Sequence, residues 1–587
     1  MNDWGLYEKG KEYNAGLNYN IEVAKNWRFY NLRHLDHLKF GGQTKVKVPM
    51  AQNIVNRGVA TCMTKTVKMN YKVENISDNT QDKGEQTKML LAKYLSQGST
   101  IKWETLKMDS LIRTILFDGA NSGDMALHTY FDATYDTGQT LGEREVLDEK
   151  GNPTFDEIGL PITEPVPILG DFWTEAVDGS NIYLGNPNDP RINFRGKPHQ
   201  PYVIVSGRDT VMNLREEATE YSKKTNEHPK ENELSKDDIK NILPDEDNLE
   251  QAGDRGKKEL EVKDEYGKAT YIIKYWHKNG KIYFNKSVKG CMIRKDVDTG
   301  LTLYPVAWAN WGIVKNSYHG QAIMTGLTEN QLALDRAWMA LFKYLNDMAL
   351  PKAIANKAYF PNGLTNKSSE VIWYDGMENV SPNNVLQYTT PGQMANGIIE
   401  LLEIFKKTTM ELLGATDTVL GNVNPENATA MFANVQNSVI PLENVKAHLH
   451  QLIEDQGYIW LDFMLHKFKV PRMIPIDDNG VTKMVEFDPS LLDKAKFTIS
   501  VDVISGSYID EISAMRVIEN LFTDAQISVV QFIERLPDGM IPEKEKLLSE
   551  LKAKLNMEQT MQTEAYKAQI IEEFMGKVQE KIEQPAV

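Results

Sequence analysis

His34 and His37 stand three residues apart, with Asp36 between them. On a helix the two rings would share a face, a geometry that admits a metal ion. No further His or Cys cluster completes a ligand set, so a surface or interhelical pair is the better reading. His448 and His450 are two apart and would point to different faces of a helix. Acidic pairs such as Asp237-Asp238 and Asp477-Asp478 occur in polar stretches, where solvated charge is the plainer reading than a catalytic dyad placed across a cleft. Gly41-Gly42-Gln43-Thr44-Lys45 has the wrong spacing for a phosphate-cradling loop. The sequence holds no His-Glu-x-x-His and no Gly-x-Ser-x-Gly elbow. The expectation is a protein without catalytic residues, metal or cofactor. An enzyme whose site is assembled from dispersed carboxylates or histidines is the alternative, as is a multi-domain scaffold or adaptor.

Composition bounds the rest. The chain has 587 residues, 41% apolar and 25% charged, enough to bury several cores. Lys plus Arg number 66 against 82 Asp plus Glu, a net charge of −16. That sign is opposite to that of a basic nucleic-acid clamp. The two cysteines, Cys62 and Cys291, exclude a disulfide scaffold and a Cys-rich zinc module, and a reducing compartment is expected. Met1-Asn2-Asp3-Trp4 carries no basic n-region and no apolar run follows, so neither export nor a membrane span is expected.

The elements that would position any site alternate between helix and strand. The first 40 residues read as helix, from Val23, Trp27, Tyr30, Leu32 and Leu35 at helical steps. Lys88–Leu95 and Leu106–Leu116 also read as helix. From about Ala126 short strands and turns follow, with turns at Asp136-Thr137-Gly138 and Gly185–Pro190 and strands at Ile182–Leu184 and Tyr202–Val205. Met212–Asn226 reads as helix, and the charged stretch 227–256 as a solvated insertion. Asn279-Gly280 between Tyr271–Trp276 and Lys281–Phe284 predicts a type I′ hairpin. Gln321–Leu350 runs without proline, with Ile323, Leu327, Leu334, Trp338, Leu341, Leu345 and Met348 on one face; Pro351 stops it. Strands at 353–355, 370–374 and 385–388 precede a second helix, Met394–Leu413, that ends at Gly414. A small, polar loop fills 414–428. A long helix over Thr429–Lys467 is bent by Pro441, Phe497–Val503 is a strand, and Asp510–Ile582 is helical in pieces. Lys406 and Lys407 complement a helix C-terminus, or touch a passing polyanion.

The order of these elements and several local words resemble the portal protein family of tailed bacteriophages, the head-to-tail connectors. Tyr13-Asn14, Trp27–Tyr30 and Asn53–Arg57 are similar to that family's opening elements. Gly320–Ile323, Leu327, Gln331 and Pro351-Lys352 are similar to its first stem helix and the start of its clip. Leu412–Asp417 and Leu420-Gly421 match the end of the second stem helix and the tunnel loop. The helix bent at Pro441 and Ile527-Ser528 in a helical tail fit as well. The charged insertion at 227–256 departs from the pattern.

The resemblance implies an α+β portal fold, predominantly helical with small β modules. Its parts would be a wing over 1–317, a first stem helix over 318–350, a clip over 351–392 and a second stem helix over 393–413. A tunnel loop over 414–428, a return to the wing over 429–508 and a helical crown and tail over 509–587 complete it. It implies a ring, usually of twelve, at one capsid vertex of the virion, assembled in the host cytoplasm. Double-stranded DNA would pass through the ring during packaging and ejection. The partners implied are the terminase large subunit, a head-completion or adaptor protein and the major capsid protein, with no membrane. The residues it assigns to the DNA channel are Lys406, Lys407, Asn422, Asn424 and Asn427. Leu327, Leu334, Trp338, Leu341 and Leu345 would pack the stem, and Lys352, Tyr359 and Trp373 would dock partners at the clip. The acidic balance suits a conduit, since every Lys or Arg contact to phosphate adds grip that opposes sliding. Twelve copies at −16 would carry roughly −190.

Overall fold

The computed structural model describes residues 2–36, 45–63, 66–73, 83–145, 163–225, 236–245, 266–345, 352–360, 371–375, 385–388, 442–468, 470–478, 481–487, 497–504 and 526–535, with scattered positions between 363 and 554. The chain divides into two units. The first comprises Met1–Met63, Lys68–Ile474 and Val485–Asp502; the second comprises Thr64–Val67, Pro475–Met484 and Val503–Val587.

Two helices, α1 (Asp3–Gly16) and α2 (Tyr19–Tyr30), open the first unit within the stretch expected to be helical. Asn2 caps α1 by accepting from the Gly5 N–H at 2.9 Å. Asn18, in the left-handed region at φ 53°, turns the chain between the helices, a conformation Asn tolerates better than most residues. The chain then forms α3 (Met50–Cys62), β1 (Thr66–Val73), α4 (Lys83–Thr105) and α5 (Met108–Ser122). The strand that follows, β2 (Asp124–Glu145), runs straight through the turn expected at Asp136-Thr137-Gly138 and pairs antiparallel with β3 (Thr163–Ala176). Register shifts between Asp132 and Glu143 absorb the turn-forming residues, and Asp136 Oδ1 accepts from the Gly138 N–H at 2.9 Å.

Strands β4 (Ile182–Leu184), β5 (Asn193–Phe194), β6 (Lys197–Pro198) and β7 (Tyr202–Thr210) lead to α6 (Val211–Thr225) and a short α7 (Lys236–Lys240). Next come β8 (Lys268–Lys278), β9 (Lys281–Val288), β10 (Cys291–Asp298) and β11 (Val306–Asn310). One antiparallel sheet has the order β10-β9-β8-β7-β4, and a second has β11-β2-β3. The β8–β9 hairpin turns on Asn279 (φ 52°) and Gly280 (φ 76°), as its dipeptide predicted. On one face of the larger sheet, Tyr7 of α1 packs its ring edge-on against Tyr183 at 5.1 Å, beside Ile204 and Ile272. Elsewhere on it, Val211, Leu214 and Ala218 of α6 bury with Ile242, Ala269, Val288, Cys291 and Ile293. Ile242 belongs to the stretch expected to be a solvated insertion. Its complete burial, with Asp245 accepting from the Thr270 N–H at 3.0 Å, folds the described part of that stretch onto the sheet.

Beyond the sheets lie α8 (Ile323–Tyr344), β12 (Ala353–Asn356), β13 (Val371–Tyr374) and β14 (Leu386–Tyr388), and then α9 (Glu443–Lys467). Residues 429–441, the expected first part of the proline-bent helix, lie outside the described residues. Helix α9 lays Trp460 and Phe463 against Phe172 of β3, with ring centroids 5.8 and 5.9 Å apart. Each such aromatic contributes about 1.5–3 kcal/mol on burial. The polar edges of this contact are satisfied as well. Trp460 Nε1 donates to Thr174 at 3.0 Å, and Gln456 donates to Thr129 at 2.7 Å. Asp462, 5% exposed, accepts from the Thr302 and Leu303 N–H groups at 2.8 and 2.9 Å. Strands β15 (Arg472–Asp478) and β16 (Val481–Phe487) form a hairpin, and β17 (Phe497–Ile504) pairs with β1.

In the second unit, α10 (Val529–Arg535) starts with a reciprocal cap. Ser528 Oγ accepts from the Gln531 N–H at 3.3 Å, and Gln531 Oε1 accepts from the Ser528 N–H at 3.1 Å. The rings of Phe522 and Phe532 lie 4.7 Å apart.

Helix and strand thus share the described residues, and the sheets are larger than small modules. Cys62 and Cys291 are both free and buried, and burial pushes each thiol up to about 11. Among the described residues no helix is long and apolar enough to cross a membrane.

Candidate functional site

Helix α8 is bolted into the first unit along its first two thirds. Its buried seam is Met324, Leu327, Thr328, Gln331, Leu334, Asp335 and Met339, a helical stripe that includes Leu327, Gln331 and Leu334 of the expected family signature and packing set. Two polar members of the seam make this attachment. Gln331 Oε1 accepts from the Ala51 N–H at 3.0 Å, and its Nε2 donates to the Val48 carbonyl at 2.5 Å. Asp335 Oδ1 accepts from the Val48 N–H at 2.9 Å, while Oδ2 lies 2.7 Å from His34 Nε2. The extended stretch before α3 is thereby stitched to the helix as though by a neighbouring strand. His34, expected as half of a His pair, is instead the buried partner of Asp335, and its ring stacks on Phe29 at 4.3 Å. His37 lies outside the described residues. On the outer side Lys25 of α2 reaches Glu329 at 3.1 Å, and Asn26 donates to the Asn121 carbonyl at 2.8 Å and to Thr325 at 2.9 Å.

A second buried constellation holds the chain just before α8. Asp124, fully buried, accepts from Tyr19 Oη at 2.7 Å, Asn310 Nδ2 at 2.8 Å and the Gly320 N–H at 2.7 Å, and lies 2.6 Å from His319 Nδ1. His319 Nε2 lies 2.8 Å from Asn14 Oδ1, and its ring stacks on Tyr19 at 3.8 Å. Gly123 and Gly320 cross here backbone against backbone. A Cβ on Gly123 would strike the Gly320 carbonyl, and Gly123 has a φ of 95°. Gly320 is the glycine with which the expected stem helix opens. The two His–Asp pairs have the form of catalytic dyads, but all four side chains are at most 4% exposed. Apart from His34 Nδ1, which is buried without a hydrogen-bond partner, their polar atoms are spent on neighbouring elements, so their work is to fix helix positions.

Beside this cluster, Asp118 of α5 faces Asp178, two residues beyond the end of β3. Burial, with the Asp178 charge second, pushes the Asp118 carboxyl up to about 8. Asp178 is raised too, again by burial first. The folded chain therefore keeps a proton that the unfolded chain has released above about pH 4. Stability is complete below that pH and is lost as pH rises through about 8. Asp118→Asn is expected to flatten this slope and to raise stability above pH 8 by about 1–3 kcal/mol. Thermal melts of both proteins from pH 5 to 9 check it, and parallel curves would dismiss the effect.

The far third of α8 is different. Trp338 and Leu341 are half-buried, Phe342 is 39% exposed and Leu345 42%. So Leu327 and Leu334, expected as packing residues between copies, are spent inside their own chain. Trp338, Leu341 and Leu345 retain apolar surface. The expectation placed Ile323 and Met348 on the same face; Ile323 is half-buried, and Met348 lies outside the described residues. Strands β12–β14 form a three-stranded sheet at the three expected places, with β12 central, parallel to β13 and antiparallel to β14. Tyr359, Trp373 and Tyr388 are 41%, 40% and 56% exposed on this module, and Lys352 is half-buried. Phe360 packs edge-on against Trp373 at 6.3 Å. Gly397, Glu400, Glu403, Ile404 and Lys407 are helical, Lys407 among the exposed residues. Lys406, Asn422, Asn424 and Asn427 lie outside the described residues. Sequence reasoning passed over Asp124, His319 and Asp335; the signal within reach was Gln331 and Asp335, two polar residues four apart on an apolar seam.

No protein-family model matches this chain, and no curated protein matches it. Among solved structures, the neck of an empty GTA particle, computed with C6 symmetry, aligns with 86% of this chain and 90% of that chain, at 10% identity and a TM-score of 0.32. A score that low leaves the two backbones only loosely superposable, so the role of this chain is argued from its own residues.

Proposed function

We propose that the chain is a portal subunit of a tailed phage: a ring-forming structural protein at one capsid vertex. Its channel passes double-stranded DNA during packaging and ejection. In this reading α8 is the first stem helix, the β12–β14 module is the clip, and residues 414–428 form the tunnel loop. The clip meets the terminase large subunit and then a head-completion protein, and the wing meets the major capsid protein. The supporting observation is the order of parts. A helix anchored at one end by buried polar contacts emerges with apolar side chains exposed, runs into a small sheet, and is followed by further helical positions. Exposed apolar surface at the end of a helix calls for a partner, and a ring of identical copies supplies one through two unlike faces. The sequence words at Gly320–Ile323, Pro351-Lys352 and Leu412–Asp417 support the same reading.

The purified protein should run as a particle of several hundred kDa and show a central hole in negative stain. Monomers or solid globules would end the proposal. Deleting residues 416–426 should leave rings intact but reduce packaged or retained DNA. A full complement of packaged genome in that variant would remove the tunnel-loop assignment.

A further inference from the structure

A second surface of the first unit carries its own chemistry, whatever the chain assembles into. Strands β5 and β6 form a minimal hairpin, pairing Asn193 with Pro198 and Phe194 with Lys197. Its two turn residues, Arg195 and Gly196, both have positive φ, 53° and 69°. This is the type I′ pattern, for which Asn-Gly is the favoured pair. Arginine at the first position is strained, because its Cβ crowds the backbone there. The turn places a cation at the tip in spite of that strain. Phe194, 39% exposed, lies between the Arg191 and Arg195 guanidinium groups, at 4.7 and 5.0 Å.

The nearby acid is already spent. Asp189 pairs with Arg191 at 2.6 Å and with His199 at 3.1 Å. Arg195 and Lys197 are exposed and have no acidic partner among the described residues. On a chain of net charge −16 they form a local cationic island.

A groove of about 200 Å³ adjoins the hairpin, sharing Asn193 with it and lined as well by Arg191, whose guanidinium lies over Phe194. It lies between β11 and α9, and its walls are Ile192, Trp308 and Ile313 on one side and His448, Gln451 and Asp455 on the other. It is smaller than the roughly 300–1,000 Å³ of a cofactor pocket, and suits one large side chain. Asp455 decides between polyanions. Burial pushes its carboxyl up to about 6, against a hydrogen bond from Gln451, and the neighbouring Glu454 adds negative charge. A nucleic-acid backbone would bring phosphates over this carboxyl. A peptide brings a neutral backbone and an apolar side chain, and confines its carboxylates to the hairpin.

We propose that the β5–β6 hairpin and this groove form a docking site for an acidic peptide segment of a partner protein. Its carboxylates meet Arg195 and Lys197, and one large apolar side chain enters the groove against Trp308 and Ile192.

The test is fluorescence anisotropy with the full-length chain and three labelled probes. These are a short Glu/Ser peptide with a central Leu, the same peptide with Ser in place of Leu, and a DNA duplex. The Leu peptide should bind, and the Ser peptide should bind about tenfold more weakly. Arg195→Asn should weaken the Leu peptide by about tenfold while leaving the melting temperature equal or higher, since Asn suits the turn. Lys197→Gln should weaken it without touching the turn. Absence of binding by the Leu peptide, equal affinity for the two peptides, unchanged affinity in both variants, or tighter binding of the duplex would each overturn the proposal.

Discussion

Asp124→Ala is expected to cost about 3–5 kcal/mol of the first unit's stability. The carboxylate accepts from a tyrosine, an asparagine and a backbone N–H, and it holds His319. Removing it leaves Tyr19 Oη, the Gly320 N–H and His319 Nδ1 without that partner, while Asn310 Nδ2 keeps the Tyr318 carbonyl at 2.9 Å. The loss is larger than for a surface ion pair, because orphaned donors pay their whole desolvation cost. Asp124→Asn should be milder, since one acceptor oxygen remains. Chemical denaturation followed by tryptophan fluorescence measures both. A midpoint within experimental error of the wild type for the Ala variant would mean that the cluster is decorative and that α8 is held by apolar contacts alone.

Under the proposed ring assembly, Phe342→Asp combined with Leu345→Asp should abolish rings while leaving the folded subunit intact. Both side chains are more than a third exposed in the single chain, so the charges stay in water until copies meet. In a ring they would become buried and unpaired, which costs several kcal/mol at each repeated contact. Size-exclusion chromatography and negative stain read the assembly, and a melt reads the subunit. Rings that persist in the double variant would show that this end of α8 is not an interface. Leu334→Asp is a poor substitute for this test. Leu334 is 3% exposed within its own chain, so a charge there would unfold the subunit before assembly is asked about.

Local signals were legible where local chemistry decides. Asn279-Gly280 fixed its hairpin because positive φ at both residues closes a type I′ turn, and the helix expected over Met212–Asn226 stands at Val211–Thr225. The three strands after α8 also stood where the sequence put them. Where distant partners decide, sequence was mute. Asp136-Thr137-Gly138 reads as a turn, yet β3 offers it a long pairing edge and bulges absorb it. Ile239, Ile242 and Leu243 are a few apolar residues in a stretch dense with charge, and nothing in their spacing reveals the sheet that covers Ile242. The candidate site followed the same rule. The exposed module was foreseen as a place, but the polar clamps that aim it were not, because His34 meets Asp335 and Asn14 meets His319 only through the fold.

Those clamps also set a timetable for synthesis. His34 and Asp335 are 301 residues apart, and Lys25 and Glu329 are 304 apart. A ribosome adding about 5–20 residues each second needs tens of seconds to supply the later member of each pair. Throughout that interval the nascent amino-terminal helices carry polar groups and aromatic rings whose mates do not yet exist. Chaperone engagement with this segment, and aggregation when translation stalls before the codon for Asp335, are the cellular costs of an architecture fastened last where it was begun first.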